Sequence, residues 1–293
     1  MFHGSITALV TPFRDGAVDE TAFVALVERQ IANGAHGLVP VGTTGETPTL
    51  SHAEHRRVVE LCVATARGRV PVIAGAGSNA TTEAIELAHH AKTIGADAAL
   101  IVAPYYNKPS QEGLFAHFKA INDAVQIPLF VYNIPGRSVV DIRPETMARI
   151  AELPNVIGLK DSAGDPSRTQ AHRALCGDDF VVLCGDDNLA LGFAAYGAAG
   201  CISVVANIAP DLCAHMQTAL AVGDFTRARH FNDLMAPLQR ACFLEPNPVP
   251  TKHALSLMGL CAPDVRLPLV EPAEGTKEAM RAALAHAGVG VTS

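Results

Sequence analysis

The feature that most constrains the fold is the alternation of short apolar segments with amphipathic helical patterns between residues 5 and 221. Short, continuously apolar segments are typical of strands that are buried on both faces of a parallel sheet. Eight such segments, each followed by a helical pattern, predict an α/β protein with a closed (β/α)8 TIM barrel rather than an open sheet. The predicted strands are Ser5–Val10, Gly37–Val41, Val70–Ala74, Ala98–Val102, Pro128–Tyr132, Val156–Lys160, Phe180–Cys184 and Cys201–Val205.

The last quarter of the chain has a different character, because only helical patterns remain there. These patterns cover Phe225–Phe243, Thr251–Met258 and Thr276–His286. We therefore expect a catalytic barrel over residues 1–223 and a small C-terminal helical domain over residues 224–293.

The composition limits the class of protein and the kinds of partner that it can bind. Hydrophobic residues make up 49% of the sequence and charged residues 17%, which is ample for a large core. The net charge of −7 comes without acidic or basic blocks, so we expect neither nucleic acid nor a membrane as partner. The seven cysteines are scattered without a CxxC pair, and the start lacks the features of a signal peptide. Both observations favour a cytoplasmic location.

Polar residues follow several of the predicted strands. In a (β/α)8 barrel the C-terminal ends of the strands form one rim, where the active site lies. Residues that we expect on this rim are Thr43, Thr44, Tyr105, Tyr106, Tyr132, Asn133, Arg137, Lys160, Gly185 and Ile202.

Lys160 stands out because it ends an apolar strand, where a cation without a partner is costly. Removal of water from an amine favours its neutral form, which attacks carbonyl carbon and forms an imine. A neighbouring tyrosine such as Tyr132 can carry protons in these steps, and no metal is required. The alternative is a surface lysine that pairs with the adjacent Asp161.

Four motifs in the sequence are the basis of a family resemblance. They are GTTGE at 42–46, YYNKPSQEG at 105–113, YNIPGR at 132–137 and GLKDSAGD at 158–165. With these motifs the chain resembles the dihydrodipicolinate synthases, which belong to the pyruvate-dependent class I aldolases. The resemblance extends over essentially the whole chain, from GSITALVTPF to the EPNPVPTK and RLPL segments.

The resemblance implies a catalytic set of four residues. Lys160 forms a Schiff base with pyruvate, so no separate cofactor is expected. Tyr132 is the general acid and base, and Thr43 links it to Tyr106. In this family the last tyrosine is contributed across a tight dimer interface, within a homotetramer.

The resemblance also implies a substrate-binding set. Thr44 binds the carboxylate of pyruvate, and Arg137 receives the carboxylate of L-aspartate-4-semialdehyde at the entrance. Gly185 and Ile202 line the pyruvate pocket with main-chain groups. The implied product is 4-hydroxy-tetrahydrodipicolinate, which enters diaminopimelate and lysine biosynthesis.

Many members of the family are inhibited by L-lysine at the dimer interface, which makes a regulatory site a further expectation. Glu83 can pair with an ammonium group, and Asn79 and Tyr105 can bond a carboxylate or an amine. The matching positions are Thr47, Pro48, Leu50, His52, His55, Asn79, Glu83 and Tyr105.

Two alternative functions stay open at this point. One is N-acetylneuraminate lyase or a 2-keto-3-deoxy sugar acid aldolase or dehydratase of the same superfamily, although Arg137 and the Tyr105–Tyr106 pair favour a short dicarboxylic acceptor. The other is a non-catalytic barrel that acts as a binding protein.

The GAGSNA segment at 75–80 imitates a dinucleotide-binding motif but follows the third strand rather than the first. The 12 histidines include no HExxH, so we expect no metal.

Overall fold

The computed structural model describes residues 2–292 of the chain. Within this range the chain alternates strands with helices from the start to residue 221 and is helical beyond. The strands are β1 (Gly4–Ala8), β2 (Phe13–Arg14), β3 (Ala17–Val18), β4 (Gly37–Val39), β5 (Ile73–Gly75), β6 (Ala98–Val102), β7 (Leu129–Asn133), β8 (Val156–Asp161), β9 (Val181–Cys184) and β10 (Gly200–Ser203).

The helices occupy the segments between the strands and the C-terminal quarter. The α-helices are α1 (Glu20–Ala32), α2 (His52–Ala66), α3 (Thr81–Thr93), α4 (Gln111–Ala124), α5 (Pro135–Ser138), α6 (Pro144–Ala151), α7 (Arg168–Cys176), α8 (Ala190–Ala195), α9 (Pro210–Ala221), α10 (Phe225–Ala241), α11 (Val249–Leu257) and α12 (Glu274–His286). Short 3₁₀ helices cover Thr43–Gly45, Thr47–Thr49, Asp187–Leu189 and Val205–Asn207.

The chain forms two compact units. One contains residues 71–202, and its sheet has the strand order β10-β9-β8-β7-β6-β5 with parallel pairing throughout. The other contains residues 4–70 and 203–292, and in it β1 pairs in parallel with β4. The antiparallel hairpin of β2 and β3 belongs to this second unit.

Together the two units hold eight parallel strands with helices between them, followed by C-terminal helices. The predicted fold class, a (β/α)8 barrel with a helical extension, is confirmed. The division into domains at residue 223 stays a prediction.

No helix between residues 2 and 292 combines the length and apolarity that a membrane span needs. Over the same residues, no three His, Cys, Asp or Glu side chains gather in an arrangement that could hold a metal ion.

All eight predicted strands are present, and their ends differ from the prediction by at most three residues. The largest difference is at β5, which begins at Ile73 rather than at Val70. Pro71 has no N–H group, and the Val72 N–H donates to the Asp97 carboxylate at 2.8 Å rather than to the backbone of a neighbouring strand. The hairpin of β2 and β3 was not predicted, because strands of two residues carry no periodicity.

Capping side chains lie at the beginning of two of the helices. The Asp19 carboxylate accepts a hydrogen bond from the Ala22 N–H at 2.9 Å and caps α1. At α2, the Ser51 hydroxyl accepts from the Glu54 N–H, and the Glu54 carboxylate accepts from the Ser51 N–H at 2.9 Å. This is the reciprocal capping box that the spacing of serine and glutamate predicts.

Gly158 allows β8 to lie close to both of its neighbours. A Cβ atom at this position would lie 2.4 Å from the Val181 carbonyl oxygen on β9 and 2.5 Å from Cε1 of Phe130 on β7. Both distances are far shorter than a van der Waals contact, and a backbone oxygen in a sheet cannot move aside freely.

We therefore expect Gly158→Ala to lower the free energy of unfolding by about 1–3 kcal/mol or more. Urea denaturation followed by circular dichroism measures this change. Gly275→Ala is the matched control, because no atom lies within 4 Å of the Cβ that it adds in α12. Equal stability of the two variants would contradict the close packing of β8.

Candidate active site

Lys160 lies at the C-terminal end of β8 with 6% of its surface exposed. Its Nζ atom lies 4.1 Å from the centre of the Tyr132 ring, which is itself buried at the end of β7. The parallel register of the two strands aligns Tyr132 with Lys160 and so creates this contact. Among the residues described, no carboxylate lies within ion-pair distance of Lys160. The alternative of a surface lysine that pairs with Asp161 is therefore wrong.

Gly185 brings a stretch of bare backbone next to the lysine. It follows β9, and a Cβ atom here would lie 2.9 Å from Cε of Lys160 and 1.9 Å from Oγ of Ser162. Only glycine fits at this distance, so main-chain groups rather than a side chain line this part of the site. Ile202, which was also predicted as a lining residue, is buried on the neighbouring strand β10.

Asp186 adds a carboxyl group that was not predicted as a site residue. Burial raises its pKa above the ordinary value, and the Lys160 ammonium group opposes that shift. The nearby Ser162 hydroxyl also lowers the pKa of Asp186. The only signal in the sequence is its place in GDD directly after β9, a motif that any exposed turn could carry.

Arg137 and Tyr106 lie in exposed segments of the same unit. Arg137 belongs to the short helix α5 and is exposed. Tyr106 is 88% exposed and has a φ of +70°, which is unusual for a residue with a side chain. The adjoining segment is tied to residue 79, because Asn79 Nδ2 donates to the Tyr105 carbonyl at 3.1 Å and Asn107 Nδ2 donates to the Asn79 carbonyl at 2.9 Å.

The GTTGE segment belongs to the unit of residues 4–70 and 203–292 and forms a 3₁₀ turn over Thr43–Gly45. Thr43 is half-buried, whereas Thr44 is 3% exposed. The Thr44 hydroxyl accepts a hydrogen bond from Asn247 Nδ2 at 2.9 Å. The turn ends at Glu46, whose φ of +55° places it in the left-handed region.

Glu46 is anchored by the C-terminal helical region. Its carboxylate accepts from Lys252 Nζ at 2.6 Å and from the Arg266 N–H at 3.1 Å. Lys252 is fully buried, with its Nζ atom 4.0 Å from the centre of the Phe13 ring. Burial lowers the pKa of Lys252, and the charge of Glu46 opposes this shift. The buried ion pair of Glu46 and Lys252 thus anchors the end of the turn that carries Thr43 and Thr44.

Comparison with known proteins identifies the family of the chain. The model of the dihydrodipicolinate synthetase family matches residues 1–287. The chain belongs to this family. It is 62% identical over 291 residues to the 4-hydroxy-tetrahydrodipicolinate synthase of Hyphomonas neptunium. The aligned residues cover 99% of each chain.

Two solved structures of the family bear on the site. The dihydrodipicolinate synthase of Acinetobacter baumannii, crystallised with pyruvate, matches with a TM-score of 0.96 and 46% identity over 99% of this chain and 100% of that one. The enzyme of Cyanidioschyzon merolae, crystallised with lysine, matches with a TM-score of 0.95 and 35% identity over 98% of each chain.

The residues predicted for lysine regulation in this family member are divided between the two units. In the unit of residues 71–202, Asn79 contacts the backbone of Tyr105, and the Glu83 carboxylate accepts a hydrogen bond from the Ser78 hydroxyl. In the other unit, the Thr47 hydroxyl donates to the Gly42 carbonyl at 3.0 Å, and His55 is buried on α2. Pro48, Leu50 and His52 lie in the same segment, between the GTTGE turn and the start of α2.

The anchor of the GTTGE turn was missed by the sequence reasoning. Asn247 and Lys252 are separated from their partners by 203 and 206 residues, so no local pattern connects them. The EPNPVPTK segment signalled only that this region resembles the family. A lysine within the largely apolar sequence of α11 was the one available hint that a buried partner exists.

The buried pair makes a specific prediction about stability. Lys252→Met leaves the Glu46 carboxylate buried without its cation, and we expect it to lower the free energy of unfolding by about 3–5 kcal/mol. The double variant Glu46→Gln with Lys252→Met removes both charges and regains part of that loss. Urea denaturation of the variants measures both effects.

Lys119→Met is the control, because it removes an exposed ion pair with Asp123 on α4 and is expected to change stability little. Losses from Glu46→Gln and Lys252→Met that simply add in the double variant would contradict the mutual dependence of the two charges.

Proposed function

We propose that the protein is a 4-hydroxy-tetrahydrodipicolinate synthase, a lyase that condenses pyruvate with L-aspartate-4-semialdehyde. The observation that carries the proposal is the buried Lys160 amine against the Tyr132 ring, without a carboxylate partner in the described chain. The identity of 62% with a relative of that name supports the choice of substrates.

The first half of the reaction follows from the chemistry of a buried amine. The neutral Lys160 amine attacks the ketone carbon of pyruvate and forms a C–N bond, and the ketone oxygen takes up a proton to give a carbinolamine. Loss of that oxygen as water gives a protonated imine. The imine withdraws electrons, so a proton leaves the adjacent methyl group and an enamine forms. We assign the transfer of these protons to Tyr132, whose ring lies against the Lys160 amine.

In the second half the enamine carbon attacks the aldehyde of the second substrate and forms the new C–C bond. The aldehyde oxygen takes up a proton. The amine of the semialdehyde then attacks the imine carbon, which closes the ring and releases Lys160. We assign Arg137 to the carboxylate of this substrate, since an exposed arginine can bind a carboxylate through two parallel hydrogen bonds.

The remaining site residues receive roles that agree with their surroundings. We assign the pyruvate carboxylate to Thr44, and the lining of the pyruvate pocket to Gly185 and Ile202. We assign Thr43 to the proton relay that ends at the Tyr106 of a neighbouring subunit in a homotetramer. The nearly complete exposure of the Tyr106 side chain supports an intersubunit role, because a large aromatic group in water gains from burial.

We also propose that the enzyme works in the cytoplasm, without a separate cofactor, in the diaminopimelate route to lysine. The Schiff base on Lys160 supplies the electron sink that other enzymes obtain from a bound group. The sugar-acid lyases of the superfamily are less favoured, because the similar proteins carry the name of the synthase.

The decisive experiment traps the imine. Incubation with pyruvate and borohydride, followed by mass spectrometry of peptides, is expected to show a reduced pyruvyl group on Lys160. Lys160→Ala loses the adduct, whereas the control Lys92→Ala, which changes an exposed lysine on α3, retains it. An intact protein without an adduct would favour a non-catalytic binding protein.

A separate measurement addresses regulation. We expect millimolar L-lysine to lower the initial rate, and Glu83→Gln to abolish that inhibition because the ammonium group loses its charged partner. Glu86→Gln, an exposed change one turn further along α3, should leave the inhibition intact. Rates of the unmodified enzyme that do not respond to L-lysine would remove the regulatory site.

A further inference from the structure

A buried polar cluster lies directly behind the pair of Lys160 and Tyr132. Asn133 follows Tyr132 on β7, Asp161 follows Lys160 on β8, and the register of the two strands aligns Asn133 with Asp161. Successive side chains of a strand point to opposite faces of the sheet. Because Lys160 and Tyr132 contact each other on one face, Asn133 and Asp161 point to the other, toward the helices.

Asp161 is fully buried and needs partners for its charge. Its Oδ1 atom accepts from the Ala163 N–H at 3.0 Å and lies 3.4 Å from Asn133 Nδ2. Its Oδ2 atom lies 3.4 Å from Nε of Arg168, at the start of α7, and 3.5 Å from Nε2 of His172, one turn further along. Arg168 therefore supplies the permanent positive charge beside this carboxylate.

Arg168 makes a second set of contacts, with the end of the loop that carries Arg137. Its Nη1 and Nη2 atoms donate to the two carboxylate oxygens of Asp141 at 3.0 Å each, and Nη2 also donates to the Ile142 carbonyl at 2.9 Å. One planar guanidinium group thus binds Asp141 through two bonds while its Nε faces Asp161.

Asn133, which precedes this loop, forms hydrogen bonds with the residues at its other end. Its Nδ2 donates to Asp141 Oδ1 at 2.8 Å, and its Oδ1 accepts from the Ile142 N–H at 3.0 Å. The two ends of the segment 134–141 are joined by these bonds, and Arg137 lies within it. The cluster of Asn133, Asp141, Asp161 and Arg168 therefore holds both ends of the segment that contains Arg137.

We propose that Arg168 is a positioning residue for the acceptor substrate. It holds the segment that carries Arg137 against the end of β8, and so sets the distance between the carboxylate-binding group and the reactive amine. This role rests on the proposed function, in which Arg137 binds the acceptor. The contact between Lys160 and Tyr132 follows from the pairing of β7 and β8, so it does not require Arg168.

The test separates the two substrates. Arg168→Lys keeps a positive charge near Asp161 but cannot bind Asp141 with a planar fork. We expect KM for L-aspartate-4-semialdehyde to rise about tenfold, since a displacement of about 1 Å is costly in a site of this kind. KM for pyruvate and the yield of the borohydride-trapped adduct on Lys160 should change by less than about twofold, because Arg168 takes no part in the binding of pyruvate or in the formation of the imine.

A double variant shows whether Arg168 acts through Arg137. Arg168→Lys should add little to the acceptor KM in an Arg137→Ala background, because the group that it positions is already gone. Arg149→Lys is the matched control, since Arg149 also binds a carboxylate, that of Glu112, through two nitrogen atoms, but on the exposed face of α6. It should leave both KM values unchanged.

Several results would overturn the proposal. A parallel rise of both KM values, an unchanged acceptor KM, or additive effects of Arg168→Lys and Arg137→Ala would each exclude the positioning role. Should Arg168→Lys not fold, Asp141→Asn decides the matter in the same assays, because it weakens the other side of the same contact. Absence of the pyruvyl adduct in the unmodified enzyme would overturn the proposed function as well, whereas its presence with an unchanged acceptor KM overturns only the role of Arg168.

Discussion

The parallel pairing of β7 and β8 is the constraint on which the chemistry of this protein depends. In register, it places Tyr132 beside Lys160 on one face of the sheet and Asn133 beside Asp161 on the other. The same strand pairing therefore sets both the contact between Lys160 and Tyr132 and the position of the polar cluster on the opposite face. Gly158 allows the backbones to approach closely enough for this arrangement, since any side chain there would meet both neighbouring strands.

Two buried lysines of this chain differ in whether a carboxylate lies beside the amine. Lys160 and Lys252 lie at almost the same distance from an aromatic ring, 4.1 Å and 4.0 Å. Lys252 has the Glu46 carboxylate at 2.6 Å, which keeps its ammonium group in a fixed ion pair. Lys160 has no such partner among the residues described, which supports the proposal that its amine reacts with a carbonyl group.

The sequence predicts the barrel and the strand-end position of Lys160 and Tyr132, because apolar periodicity and motif order are local properties. It misses the hairpin of β2 and β3, whose strands are too short to carry a period. It also misses the Arg168 cluster, because GLKDSAGD indicates neither which face Asp161 occupies nor that Arg168 reaches Asp141. Contacts between residues far apart in the chain need the folded geometry.

The anchoring of the GTTGE turn has a consequence for how the protein is made. The turn leaves the ribosome early, but Asn247, Lys252 and Arg266 emerge more than two hundred residues later. During most of synthesis Glu46 therefore lacks both Lys252 and Arg266 as partners. The strands that carry Lys160 and Tyr132 are complete before the turn can adopt its final form. In a nascent chain the strands of Lys160 and Tyr132 thus emerge first, and the last stretch of translation supplies the residues that anchor the GTTGE turn.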